Sequence, residues 1–221
     1  MLRKTRCPDT IVVTAVLMAA VSVLAGCSRG SPPRQSTATL TASPRLVHEG
    51  QSIPRGGGTY KIGKPYQIGG RWYVPQVEPT YDRQGLASWY GSDFHGRKTA
   101  NGEIFDMNAL TAAHPTLPIP SYAQVTNLAN GRTLLLRIND RGPYVHDRVL
   151  DLSRQSARWL GTETRGVADV RVRYVGPAPL DGDISRERQF LASQPWAGGV
   201  TAIGNASGPR MSLGADPAPL R

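Results

Sequence analysis

Residues 84–175 predict a mainly β fold: a small closed barrel of short strands with one short helix. From Gln84 onward, short runs of β-branched and apolar residues alternate with clusters of turn residues. Ala129-Asn130-Gly131 joins two of these runs, Tyr122–Asn127 and Arg132–Ile138, and an Asn-Gly pair between such runs is a strong hairpin signal. Helix punctuation occurs once, with Ser153 as N-cap, a partly apolar run through Ala157, Trp159 and Leu160, and Gly161 as the stop. Spacing alone does not separate one small barrel from another.

In chain order, Met1 to Cys27 reads as an export signal. Arg3, Lys4 and Arg6 form its basic end, and the apolar run Ile11–Val23 is too short for a spanning helix of ~20 residues. Leu24-Ala25-Gly26-Cys27 is a lipobox pattern, predicting a signal peptide over 1–26 and acylation of Cys27. Cys7 leaves with the signal, so Cys27 has no partner for a disulfide, and acylation accounts for a lone exported cysteine. Ser28 in the next position implies sorting to the periplasmic face of the outer membrane, were this a Gram-negative lipoprotein. The net charge is +10, of which the first 26 residues carry two. A basic balance favours anionic partners, but with no run of five basic residues it gives no support to nucleic-acid binding.

Residues 27–58 are rich in Ser, Thr, Pro and Gly and predict a flexible tether. In 59–83, Tyr66–Ile68 and Arg71–Val74 flank Gly69-Gly70, the signal for an aromatic hairpin appendage. An isolated hairpin is marginal, so this one should dock on the barrel, line its groove, or recruit division or envelope proteins. Within the barrel, strands are expected at Leu86–Tyr90, Ile104–Phe105, Tyr122–Asn127, Arg132–Ile138, Val149–Leu152 and Val167–Tyr174. Residues 176–221 turn to Gly, Pro, Ala and Ser and predict a disordered tail.

Ala87-Ser-Trp-Tyr-Gly91, Phe94-His-Gly-Arg-Lys-Thr-Ala-Asn-Gly-Glu103, Thr111-Ala-Ala-His114, Arg137-Ile-Asn-Asp-Arg-Gly-Pro143 and Leu150-Asp-Leu-Ser153 follow one another over about 90 residues. In these motifs the chain resembles the rare lipoprotein A family. The resemblance implies a six-stranded double-psi β-barrel and a lytic transglycosylase acting on peptidoglycan glycan strands, preferentially peptide-stripped ones, without a cofactor. It also implies that Asp140 is the catalytic aspartate, Glu103 its acidic partner and His114 an active-site histidine. Many members carry a peptidoglycan-binding SPOR domain after the barrel; none is expected in 176–221, a stretch of about 45 residues of low hydrophobicity.

From residue pattern alone Asp140 is equally readable as a hydrogen-bond acceptor in its Arg141-Gly142-Pro143 turn. If Glu103 and Asp140 were close, repulsion would raise one pKa and keep that group protonated. Ser88 and Tyr90 should share one strand face, with Trp89 on the other, so either Tyr90 or Trp89 offers a ring to a sugar. Asn101 and Asn139 have amides suited to N-acetyl and hydroxyl groups, and Arg141 could contact substrate or pair with a carboxylate. His95, His114 and His146 match no metal-ligand spacing, so no metal is expected. A rival reading is an expansin-like wall-binding module without catalysis, because fold does not fix chemistry.

Overall fold

The computed structural model describes residues 43–48, 50–145 and 147–198. The signal, Cys27 and His146 lie outside them. Six strands close the barrel: β3 (Asp82–Tyr90), β4 (Thr111–Ala113), β5 (Ser121–Asn127), β6 (Thr133–Asp140), β7 (Arg148–Ser153) and β8 (Ala168–Pro177). Their order around the barrel is β3-β7-β4-β6-β5-β8. The pairs β3–β7 and β4–β6 are parallel and the other four are antiparallel. This is the expected double-psi β-barrel. Inside it Ala87, Ala112, Val125, Leu134, Leu136, Ile138, Leu150, Leu152, Val170 and Val172 make one buried core.

The hairpin at Asn130-Gly131 forms as expected, pairing Val125 with Leu134 and Thr126 with Thr133. So does the helix α1 (Arg154–Leu160). Ser153 accepts a hydrogen bond from the Ser156 N–H at its start, and Gly161 ends it in the left-handed conformation. The strand expected at Ile104–Phe105 is only an isolated bridge between Lys98 and Ile104. Instead Thr111–Ala113 forms a strand, wholly buried and only three residues long, with no alternation to announce it.

Both flanks differ from the sequence expectation. Residues 176–198 of the expected tail are folded and carry a second helix, α2 (Ser185–Ala192); 199–221 lie outside the described residues. Ala178 and Phe190 join Tyr122 and Leu135 in a small cluster on the barrel exterior, and the Tyr122 hydroxyl donates to Glu187. A few anchors suffice here because the barrel wall supplies the rest of the apolar surface. On the other flank, residues 43–48 and 50–58 lie against the barrel rather than forming a free tether, and the rest of the expected tether, 27–42, lies outside the described residues. Arg45 bridges Arg97, and the Leu46 N–H donates to the Gly96 carbonyl.

The appendage is a two-stranded hairpin of β1 (Tyr66–Ile68) and β2 (Arg71–Tyr73). It docks on the barrel. Tyr66 stacks on Tyr73 at 5.2 Å, Tyr144 packs edge-on against both rings, and the Tyr66 hydroxyl donates to the Pro115 carbonyl. Because β3 starts at Asp82, the barrel begins slightly earlier than expected.

Candidate active site

At one end of the barrel Ser88 of β3 pairs with Asp151 of β7, Asp151 with Ala113 of β4, and Ala113 with Asp140 of β6. A single row of paired residues therefore brings Asp140 and Asp151 to the same rim. Between Ala112 and Ala113 the register against β6 shifts, leaving Asn139 as an extra residue just before Asp140. Such a bulge re-aims the side chains next to it.

Asp140 is half-buried, and its Oδ1 accepts the backbone N–H groups of Ala100 and Arg141, both at 2.8 Å. Burial pushes its pKa up to about 6; the two N–H groups and the Arg141 charge pull the other way without prevailing. Asp151 is also raised by burial, against a 2.6 Å hydrogen bond from the Ser88 hydroxyl and the Arg148 charge. Tyr90 stacks on Phe105 at 4.3 Å and meets Phe94 edge-on. Its buried hydroxyl has no hydrogen-bond partner among the described residues, and its pKa is pushed far up by burial and then by the charges of Asp140 and Asp151. The phenol thus sits within the field of both carboxylates.

Glu103 is elsewhere in chemical terms. It is 5% exposed and held by a bidentate ion pair with Arg137, at 2.5 and 3.1 Å. The side-chain amides of Asn101 and Asn139 each donate to it at 2.9 Å. Burial pushes its pKa up, but these hydrogen bonds outweigh that and hold the carboxyl below its ordinary range. Gly58 lies over this cage so closely that a Cβ there would come within 2.7 Å of the Asn101 amide and 2.9 Å of Glu103 Cγ. Burial, not repulsion by Glu103, raises Asp140, contrary to the sequence expectation.

Other expected site residues are likewise occupied. The His114 ring is fully buried: Nδ1 accepts the N–H groups of Thr116 and Leu117, which leaves Nε2 to donate to the Tyr81 hydroxyl at 2.8 Å. Burial, then the Arg141 charge, lowers its pKa to about 3, so the ring is neutral. Arg141 donates to the carbonyls of His114, Leu117 and Ile62 and braces the Asp140 turn. Asn101 and Asn139 donate to Glu103, while the Asn139 Oδ1 is buried without a hydrogen-bond partner among the described residues, and Glu103, Arg137 and Asn139 together line a cleft with Ile53, Gly56 and Asp183. Trp89 packs on the core and donates to the Glu163 carbonyl, while Tyr90 is stacked on Phe105 and meets Phe94 edge-on; both residues are half-buried. Ser88 positions Asp151. The Asp151 carboxylate has no assigned role in the sequence reading; its signal was an acid inside the otherwise apolar run Val149–Leu152.

Residues 82–172 match the family model described as "Lytic transglycolase". A protein of Pseudomonas aeruginosa named endolytic peptidoglycan transglycosylase RlpA is 46% identical over 132 residues, covering 59% of this chain and 39% of that protein. Its namesake in Neisseria meningitidis is 47% identical over 115 residues, covering 52% and 48%. Over these residues the chain is similar to the rare lipoprotein A family. The chain spans between about two fifths and one half of the length of these relatives. An expansin from Clavibacter michiganensis, 18% identical over 45% of this chain and 53% of its own, is a remote likeness at a TM-score of 0.35.

Proposed function

We propose that this protein is an endolytic peptidoglycan lytic transglycosylase, a lyase that cuts the bond between N-acetylmuramic acid and N-acetylglucosamine, and that Asp140 is its acid and base. The observation that carries this reading is a half-buried rim carboxyl raised to about 6, with two backbone donors and the Arg141 charge too weak to offset its burial. Relatives named for this activity support it. Protonated Asp140 donates to the glycosidic oxygen as the C1–O bond breaks. The muramic acid 6-hydroxyl closes on C1, giving a 1,6-anhydro end, and its proton returns to the Asp140 carboxylate. Because that nucleophile belongs to the substrate, no second carboxyl has to activate water. Asp151, steadied by Ser88, lends negative charge near the oxocarbenium-like carbon.

Anchorage through acylated Cys27 in the cell envelope, on the periplasmic face of the outer membrane, belongs to the same proposal. It is supported by the lipobox pattern and tested by palmitate labelling of wild type and Cys27→Ser. For the reaction, the test is mass spectrometry of material released from peptide-stripped sacculi. Anhydro-muramic ends are expected; reducing muramic ends would make the enzyme a hydrolase. The expansin-like reading gains one observation, since Glu103 and His114 are engaged in structural contacts and no longer weigh against a pure binder. Sacculus binding without any soluble product would select it.

A further inference from the structure

Among the described residues, seven buried side-chain atoms have no hydrogen-bond partner, and three of them belong to residues lining one cleft: Arg137 Nη1, Asn139 Oδ1 and the Thr111 hydroxyl. Buried donors and acceptors left unmatched are costly, so three around one space point to a ligand that carries the complementary groups. These residues are only 5%, 2% and 7% exposed. The rest of the Arg137 guanidinium is committed to Glu103 and to the Pro179 carbonyl. The cleft encloses about 50 Å³, room for about three or four heavy atoms. Ile53, Ile104 and Ile184 supply apolar wall. Of these, Ile53 and Ile184 come from the two flanks outside the matched residues 82–172. Those flanks meet so closely that a Cβ on Gly182 would come within 2.6 Å of the Gly56 nitrogen.

An anion here would meet Glu103, Asp106 and Asp183, and a cation would meet the unpaired Nη1 of Arg137, so the cleft favours a neutral group. Arg137 Nη1 can only donate and Asn139 Oδ1 can only accept. The group that fits has a carbonyl, an N–H and a small apolar end. We propose that this cleft is an acetamido pocket, in which Arg137 and the Thr111 hydroxyl donate to the carbonyl of a 2-acetamido group of the glycan, Asn139 accepts its N–H, and its methyl rests on Ile53, Ile104 and Ile184. The inference rests on the glycan reading above and deepens it. A 2-acetamido group hangs from the carbon next to C1, and Asn139 directly precedes Asp140 on β6, so seating the group orients the anomeric carbon for the acid. Loss of the acetyl group leaves an ammonium with no carbonyl for Arg137. A strand that an amide-hydrolysing reaction has already de-N-acetylated is therefore a poor ligand.

The test uses the full chain bearing Asp140→Asn, which binds without turnover. Calorimetry measures its affinity for a peptide-free GlcNAc–MurNAc oligosaccharide in three forms: N-acetylated, de-N-acetylated, and re-acylated with the bulkier isobutyryl group. The acetylated form should bind at least about tenfold more tightly than either other form, because a site built to hydrogen-bond a group rejects ligands that lack it or overfill its seat. Adding Thr111→Val should shrink that preference several-fold without lowering the melting temperature, since the hydroxyl has no protein partner to lose. Adding Ile53→Phe should fill the seat and remove the preference. Equal affinity for the three forms, no binding of any, or a preference unchanged in both variants would overturn the pocket and leave a cleft that holds water alone. Product analysis on sacculi, with Asp140 intact, is read separately. Anhydro ends released as readily from de-N-acetylated as from acetylated sacculi would keep the transglycosylase and discard the pocket. Selective binding of the acetylated form without any anhydro product would keep the pocket and discard the transglycosylase.

Discussion

Glu103 and Asp140 are both tied to the short loop Thr99–Glu103, yet they end in opposite states. Glu103 receives a guanidinium fork and two amides, and its pKa falls; Asp140 receives two backbone N–H groups, and its pKa rises to about 6. Both are withdrawn from water, so burial alone cannot separate them. What separates them is how much hydrogen bonding and positive charge compensates the ionised form. A fully compensated carboxylate is a fixed charge that holds loops together, whereas an under-compensated one is available for proton transfer.

The most damaging change should be Glu103→Gln. It leaves the Arg137 guanidinium buried without its counter-charge, which costs about 3–5 kcal/mol and should be visible in denaturant melts. Wild-type-like stability would break the contrast. Glu103 should contribute stability above the ordinary carboxylate range, and that contribution should be lost as pH falls through its depressed folded pKa.

Asp140→Ala comes next, lowering anhydro-product formation by at least ~100-fold with the fold intact. Asp140 has a raised folded pKa, so the native state holds its proton more tightly than the unfolded chain does. Ionising it therefore costs stability as pH rises from the ordinary carboxylate value to about 6. Asp140→Asn should accordingly raise the melting temperature at pH 7, and the gain should vanish below about pH 4. In wild type, activity should fall as pH rises through about 6, because the acid form is lost; a rate still climbing between pH 6 and 8 would remove Asp140 as the acid.

A smaller loss, about tenfold in kcat with unchanged melting, is expected for Asp151→Asn if it supplies only charge near the reacting carbon. A loss as large as that of Asp140 would make Asp151 an equal partner. Ser153→Ala, remote from both carboxylate environments in function, should cost about 1 kcal/mol through the α1 cap and leave the pH profile unmoved. It calibrates the stability effects against a change without catalytic consequence.

Elements with local punctuation were readable directly: the Asn130-Gly131 hairpin, the Gly69-Gly70 hairpin and α1 with both its caps. Thr111–Ala113 was not, because a three-residue strand buried throughout has no polar alternation. Nor was the order of residues 177–198, whose few apolar anchors look like a linker until the barrel wall is present to receive them. At the site, the motif placed Asp140 in a turn after a strand, and the structure has it at the end of β6. The hydrogen bonds that tie Glu103 to Arg137, Asn101 and Asn139, and Arg141 to backbone carbonyls, were not readable, because polar side chains beside glycines look alike whether they meet a sugar or one another.

By itself the chain determined where turns, caps and alternating strands fall, since those depend on neighbours within a few residues, and motif order was enough to suggest the barrel. Only the tertiary structure decided which acid is neutralised by partners and which is left wanting. Asp140 and Asp151 meet on one rim through strand pairing across three strands, while Glu103 meets Arg137 across 34 positions of sequence. A pKa depends on burial and on charges gathered from distant segments, quantities that no local window of sequence contains.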